Sequence, residues 1–469
     1  MTKASAVVLA IAGLTGCPDR TISKVDPDQK RVETKDIPVN INRDLDILFL
    51  IDKSPTMADE QASLTANFPR FMQILSQLEG GLPNVHIGVI SQDIGAGMAL
   101  SGTGCTATGD NGNLLAQARV AGCTPPSGNF ISDIDNLGTR RKNYTGTLDE
   151  TFSCIATLGP NGCGFEQHLG SLQKALIGNP GNVGFLRPNA YLAIIVISDE
   201  DDCTASNPKI YDPNNAFVNE LGAFADFRCF EWGWECDEGV MGRTARTYNH
   251  CRPRENSPYL RHPDDLVQAI KDLKANQKQI IVSAIIGPSA LTDPAVVTTT
   301  VAINAMMNNV PSVQPSCTNG TQNAFPMPRI AHFAQQFTNN TLHSLCDGDL
   351  GASLTDIAKK ILEVQGNPCF EGDVDTTDND PSNPGMQLTC TVSDVVEPDG
   401  RALETILPAC KMADATTPAA DAQQPCWYVK PDPVKCAIYP SKLTLAVHPE
   451  QRTTPPETHV VAQCVVNTN

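Results

Sequence analysis

Leu45-Asp46-Ile47-Leu48-Phe49-Leu50-Ile51-Asp52-Lys53-Ser54-Pro55-Thr56 decides how the chain is read. From Leu45 to Ile51 it is almost continuously apolar, as in a strand covered on both faces within a parallel sheet. Polarity then changes abruptly. Side chains alternate across an extended segment, so Asp52, Ser54 and Thr56 share a side and can direct three oxygens to one point beyond the strand's carboxyl end. Leu64, Phe68, Phe71, Leu75 and Leu78 follow at spacings of three and four, giving a helix with one apolar stripe.

Further buried strands are expected at Val85–Ile90, Tyr191–Ile197 and Ile280–Ile286, with helices at Glu166–Leu176 and Asp264–Lys274 between them. A helix at Arg329–Phe337, a strand at Leu342–Leu345 and a helix at Leu354–Leu362 close the pattern. Strands alternating with helices imply a doubly wound α/β domain over residues 44–365. Three Gly-, Pro-, Asn- and Thr-rich stretches, about 92–164, 203–262 and 288–327, read as insertions. Residues 366–469 carry six cysteines and strand-like segments at Met386–Ser393, Lys442–His448 and His459–Val466, so a small disulfide-stapled β domain is expected there.

The strand Tyr191–Ile197 ends at Ser198-Asp199-Glu200-Asp201-Asp202, which brings carboxylates to the same sheet edge as Asp52. Oxygen-only ligation favours Mg²⁺ first, with Mn²⁺ or Ca²⁺ as further fits, over zinc or copper. A buried strand, Asp-x-Ser-x-hydroxyl, an amphipathic helix and a later Asp at a strand end together resemble the von Willebrand factor A domain. That resemblance implies a Rossmann-like fold and a metal-ion-dependent adhesion site. Asp52, Ser54 and Thr56 correspond to its first ligand loop and Asp199 to its later acidic residue. The family's open coordination position takes a partner, often through the partner's carboxylate. Thr56 stands for the usual second serine. Where the family places a threonine before its middle helix, this chain has Cys163-Gly164-Phe165-Glu166-Gln167, which leaves Glu166, or Thr157 upstream, as the substitute.

The amino terminus supplies an address. Lys3 precedes an apolar run from Ala4 to Ala12 that is too short to span a bilayer, and Leu14-Thr15-Gly16-Cys17 follows it. These residues resemble the lipobox of bacterial lipoproteins, which implies cleavage after residue 16, acylation of Cys17 and membrane attachment through that lipid alone. Residues 17–43 then read as a flexible tether. Setting Cys17 aside leaves an even number of the 17 cysteines, compatible with complete pairing in an oxidising envelope compartment, facing the periplasm or the cell surface. No Cys-x-x-Cys occurs.

Acidic residues outnumber basic ones, 52 to 34, and a net charge of −18 disfavours nucleic acid as a partner. His-Glu-x-x-His, Gly-x-Ser-x-Gly and Gly-x-x-x-x-Gly-Lys are all missing, and none of the eight histidines stands in sequence as a base or metal pair. A binding or adhesion protein for a protein or other envelope macromolecule is therefore expected rather than an enzyme. A structural lipoprotein whose metal only stabilises the fold is the second reading, and a metal-dependent hydrolase the third. In the second insertion Trp232 and Trp234, together with Glu200 and Asp201 beside the site, are candidate partner contacts. The bland alternatives are a miniature aromatic core for the tryptophans and a solvated acidic turn for Glu200, Asp201 and Asp202.

Overall fold

The computed structural model describes residues 31–100, 104–288, 297–304, 309–319, 322–396, 402–455 and 457–467. Two compact units emerge: Ile41–Asn367 forms the larger, and the chain on either side of it forms the smaller. The leader, residues 1–16, and Cys17 lie outside the described residues.

The expected tether over 17–43 needs correction, because Arg31–Pro38 is a strand, β1. It pairs antiparallel with the last strand of the chain, Arg31 opposite Val466 and Pro38 opposite His459. Edge strands are held by main-chain hydrogen bonds, which side-chain polarity does not report. Only Lys35 of this strand is buried, and its Nζ lies 3.0 Å from Glu33 and 3.2 Å from Glu371.

The larger unit opens with β2 (Asp44–Ile51), α1 (Ala58–Leu75), β3 (Asn84–Ser91), β4 (Ile131–Asn136), β5 (Thr139–Lys142), α2 (Leu148–Ala156), α3 (His168–Leu176) and β6 (Tyr191–Ile197). It continues with α4 (Val218–Leu221), α5 (Phe227–Gly233), β7 (Trp234–Cys236), β8 (Gly239–Val240), β9 (Arg246–Pro253), α6 (Asp264–Lys271) and β10 (Ile280–Ile286). β11 (Val297–Asn304), β12 (Val310–Val313), β13 (Cys317–Asn319), β14 (Gln322–Ala324), α7 (Pro328–Gln335), β15 (Asn339–Ser344) and α8 (Gly351–Val364) complete it. The central sheet runs β15-β10-β6-β2-β3-β4-β5, parallel from β15 to β3 and antiparallel beyond. This is a doubly wound α/β domain, with the interiors of β2, β6 and β10 fully buried.

The stretch 92–164 is not wholly an insertion. β4 and β5 extend the central sheet, and α2 packs on it: Phe152 stacks on Phe68 at 3.7 Å and meets Phe49 at 4.9 Å between ring centroids. A reciprocal cap starts α2, with Glu150 N donating to Thr147 Oγ1 at 3.2 Å and Thr147 N to Glu150 Oε2 at 3.1 Å. The β4–β5 turn carries Leu137 and Gly138 at φ +54° and +85°, where Asn-Gly would have signalled the hairpin; Leu137 is wholly exposed.

The other two stretches fold together. β9, β7 and β8 from one join β12 and β11 from the other in a five-stranded antiparallel sheet, with Phe227, Phe230, Trp234, Tyr248, Val297 and Val301 beneath it.

The smaller unit adds β16 (Cys390–Val396), β17 (Leu403–Leu407), β18 (Cys426–Pro431), β19 (Leu443–His448) and β20 (His459–Val466). They form the sheet β1-β20-β16-β17 and the hairpin β18-β19. Eight disulfides join the described cysteines, and none crosses between units. Five lie in the larger: Cys105–Cys163, Cys123–Cys154, Cys203–Cys229, Cys236–Cys251 and Cys317–Cys346. Cys369–Cys436, Cys390–Cys464 and Cys410–Cys426 lie in the smaller. Among the described residues no helix is long and apolar enough to cross a membrane.

Candidate metal centre

β2 leads to β3 on one side, whereas β6 returns to its other side, so the carboxyl ends of β2 and β6 flank the crevice where strand order reverses. Asp52 leaves β2 there, its N donating to Ile197 O at 3.0 Å. The Asp52 carboxylate is held on both oxygens. Oδ1 accepts from Ser54 N at 2.6 Å and Gln92 Nε2 at 2.7 Å, and Oδ2 accepts from Ser198 Oγ at 2.6 Å. Ser198 Oγ lies 2.9 Å from His168 Nε2. Burial lowers the pKa of that histidine, which keeps the imidazole neutral.

Ser54 Oγ and Thr56 Oγ1 are 3.1 Å apart, and the Thr56 hydroxyl is near enough to the Asp199 carboxylate to favour its ionised form. Thr56 is exposed, so the buried cluster opens to solvent beside it. Glu166, at the entry to α3, stands against Glu200; burial and then the Glu200 charge drive Glu166 well above the usual carboxylate range, and burial followed by the charges of Asp226 and Asp199 does the same to Glu200. Burial and then the Asp52 charge push Asp199 up to about 8. Asp52, Ser54, Thr56 and Asp199 thus lie together, and Glu166 is close enough to Asp52 for that charge to raise its pKa. Thr157 does not join them; it ends α2 with Oγ1 donating to Ser153 O at 3.0 Å.

Elsewhere in the unit, buried carboxylates have cations. Arg187 Nε lies 2.8 Å from Asp46 and Lys274 Nζ 3.8 Å from it; Arg140 lies 2.6 Å from Asp133; Arg329 lies 2.9 Å from Asp202. Lys53, adjacent to Asp52, is engaged by Asp110 at 2.6 Å and Asp93 at 3.2 Å. Among the described residues, neither lysine nor arginine pairs with Asp52, Glu166, Asp199 or Glu200. Glu166 Oε1, Asp199 Oδ1 and the neighbouring Glu60 Oε2 are buried without a hydrogen-bond partner. Burying carboxylates unpaired is strongly unfavourable. The donor set, hard oxygens with partnerless lone pairs beneath an opening, fits a divalent cation such as Mg²⁺.

Two partner-contact expectations are overturned. Trp234 is wholly buried and its Nε1 donates to Asp201 Oδ2 at 2.8 Å. Asp201 is buried too, and its oxygens cap α7 by accepting from Arg329 N at 3.1 Å and Ile330 N at 3.2 Å. Nor is this turn solvated. Asp202 is buried, accepting from Arg329 Nη2 and from Leu169 N at 3.0 Å, while Glu200, partly buried, faces Glu166. Trp232 is partly buried against Tyr259, ring centroids 4.7 Å apart, with the Arg254 guanidinium over its ring. Sequence reasoning missed Gln92, Ser198 and His168 as supports of Asp52. The polar residues ending β3, at the same sheet edge, were the available signal for Gln92.

Neither a family model nor a curated protein matches the chain. Among solved structures it is similar to the pilus adhesin SpaC from Lactobacillus rhamnosus GG in an open conformation, at 12% identity and a TM-score of 0.30, over 95% of this chain and 44% of that one. It is also similar to a von Willebrand factor type A structure from Catenulispora acidiphila, at 11% identity and a TM-score of 0.28, over 94% of this chain and 66% of that one. A third is the pilus adhesin RrgA from Streptococcus pneumoniae, at 12% identity and a TM-score of 0.21, over 96% and 60%. The chain therefore spans less than half the length of SpaC.

Proposed function

We propose that this is a lipid-anchored envelope protein that binds a macromolecular partner through a divalent cation, Mg²⁺ first, held by Asp52, Ser54, Thr56 and Asp199 with Glu166. The observation that carries the reading is a buried carboxylate group with which, among the described residues, neither lysine nor arginine pairs, in a unit where Asp46, Asp133 and Asp202 each have such a cation. Asp52 is oriented by Gln92 and Ser198, so the site is preorganised. The cation supplies the positive charge and, on the solvent side near Thr56, a position for an oxygen of the partner. Glu166 in place of a neutral hydroxyl tightens the hold on the cation and weakens its pull on an anionic group, so neutral oxygen ligands suit the site as well as carboxylates. Attachment through acylated Cys17 keeps the domain at the envelope.

Capture from envelope extracts tests the proposal. Partner retained by the parent chain is expected to be released by EDTA, restored by Mg²⁺ and lost in Asp52→Ala. Retention indifferent to both EDTA and the substitution would contradict it.

A further inference from the structure

The loop before α6 and the exposed side of α7 bring together two histidines that are far apart in sequence. His332 Nε2 lies 2.8 Å from Asp264 Oδ1, a residue 68 positions away, and His262 Nδ1 lies 3.5 Å from Asp264 Oδ2. One ligand atom from each of the three falls within 4.8 Å of the other two. The histidine rings are 5.4 Å apart, centre to centre, at 73°. We infer that His262, Asp264 and His332 form a second metal site, for a transition ion of the Zn²⁺ class, separate from the all-oxygen site at Asp52.

Ligand chemistry separates the two sites. Two imidazoles with one carboxylate suit Zn²⁺, Ni²⁺ or Co²⁺, whereas the oxygen-only set suits Mg²⁺. Asp264 N approaches His262 Nδ1 at 3.3 Å, so this ring nitrogen lies on the side of the cluster, and an ion bound there would replace that long hydrogen bond. The other ring nitrogen, Nε2, lies 3.9 Å from Glu255 Oε1. That separation exceeds hydrogen-bond distance, so Glu255 would have to close on the ring to act as its outer support. His332 Nε2 faces both Asp264 and the Gln336 amide nitrogen at 3.4 Å.

The backbone under the cluster is tied into the fold. Arg261 N donates to Thr204 O at 3.0 Å and Arg261 O accepts from Arg329 Nη2 at 2.6 Å, which ties down the residue before His262. His332 stands on a helix whose Ile330, Phe333 and Ala334 are buried in the core. The Asp264 side chain is 55% exposed and the His262 side chain 12%, so the site would be open on its outer side, with room for water or a partner's ligand in a fourth position. Such an ion would clip α6 to α7.

The test uses the tag-free, oxidised full chain, stripped of metal and then held in excess Mg²⁺ so that the oxygen site is satisfied. Zn²⁺ is titrated by calorimetry, and Co²⁺ is followed by its visible absorption. One Zn²⁺ per chain is expected, with a Co²⁺ spectrum typical of nitrogen and oxygen ligation. His332→Ala and His262→Ala are expected to weaken Zn²⁺ by more than about tenfold, since even an outer-shell loss costs that much. Mg²⁺ binding should be unchanged in both, and Asp52→Ala should leave Zn²⁺ binding intact. Zn²⁺ bound equally well by both histidine variants, or not at all by the parent chain, overturns the assignment. Loss of Mg²⁺ binding by the parent would strike the oxygen site alone.

Discussion

Arg329→Met is expected to destabilise the larger unit by about 3–5 kcal/mol, the range for removing one partner of a buried ion pair. Arg329 is wholly buried; its Nη2 donates to Asp202 Oδ2 at 2.9 Å and its Nε to Asp202 O at 2.9 Å. Its charge also restrains Asp201, which burial nonetheless pushes up to about 7. Without the guanidinium, Asp202 stays buried with no cation, and the turn from Asp199 to Asp202 loses its anchor to α7. Mg²⁺ affinity should therefore fall along with stability, although Arg329 lies outside the ligand set. Adding Asp202→Asn removes the uncompensated charge and should recover part of the loss. Urea unfolding of the three chains measures both effects. Equal stability of Arg329→Met and parent would contradict this role.

The second large effect is on the pH dependence of the metal-stripped protein. Asp199 at about 8, with Glu166 and Glu200 also raised, means that the folded state holds more protons than the unfolded state above the ordinary carboxylate range. Stability then falls as pH rises toward about 8, at about 1.4 kcal/mol per pH unit for each such group. His168, whose folded pKa is lowered, contributes the opposite slope only below its ordinary value of 6.5; within the window from pH 6.5 to 8, Asp201, raised to about 7, adds to the fall, and Lys274, lowered to about 8, opposes it toward the upper end. Mg²⁺ at about 100 times its dissociation constant should add about 2.7 kcal/mol. The gain should be greater at pH 8 than at pH 6.5, because ligating carboxylates must be ionised. Melting curves in EDTA that rise steadily through this window, or an identical Mg²⁺ shift at both pH values, would count against the carboxylate site.

Much of this organisation was visible in the residues. β2, β6 and β10 are legible because a strand covered on both faces carries few polar side chains, and one it does carry, such as Asp46 in β2, needs a buried partner, here Arg187. The convergence of Asp52, Ser54, Thr56 and Asp199 followed from two such strands ending at one sheet edge. What escaped was held by partners distant in sequence or by the main chain. β1 is an edge strand with polar side chains, and the β4–β5 hairpin turns through Leu137 at positive φ, where the usual turn residues are absent. Alternation in Val297-Thr298-Thr299-Thr300-Val301 did offer a sign of β11, whose valines are buried. The roles of Asp201 and Asp202 were hidden because Arg329 and Trp234, which pair with them, come from elements folded back from far along the chain.

Calorimetric titration of Mg²⁺, Mn²⁺ and Ca²⁺ into the oxidised, chelator-stripped chain, alongside Asp52→Ala and Asp199→Ala, is the most direct test of the oxygen site. Saturable binding of one ion in the parent, abolished in both variants while their folds and disulfides stay intact, is the expected result. No binding in the parent, or undiminished binding in both variants, would show that the buried carboxylates do not hold a cation.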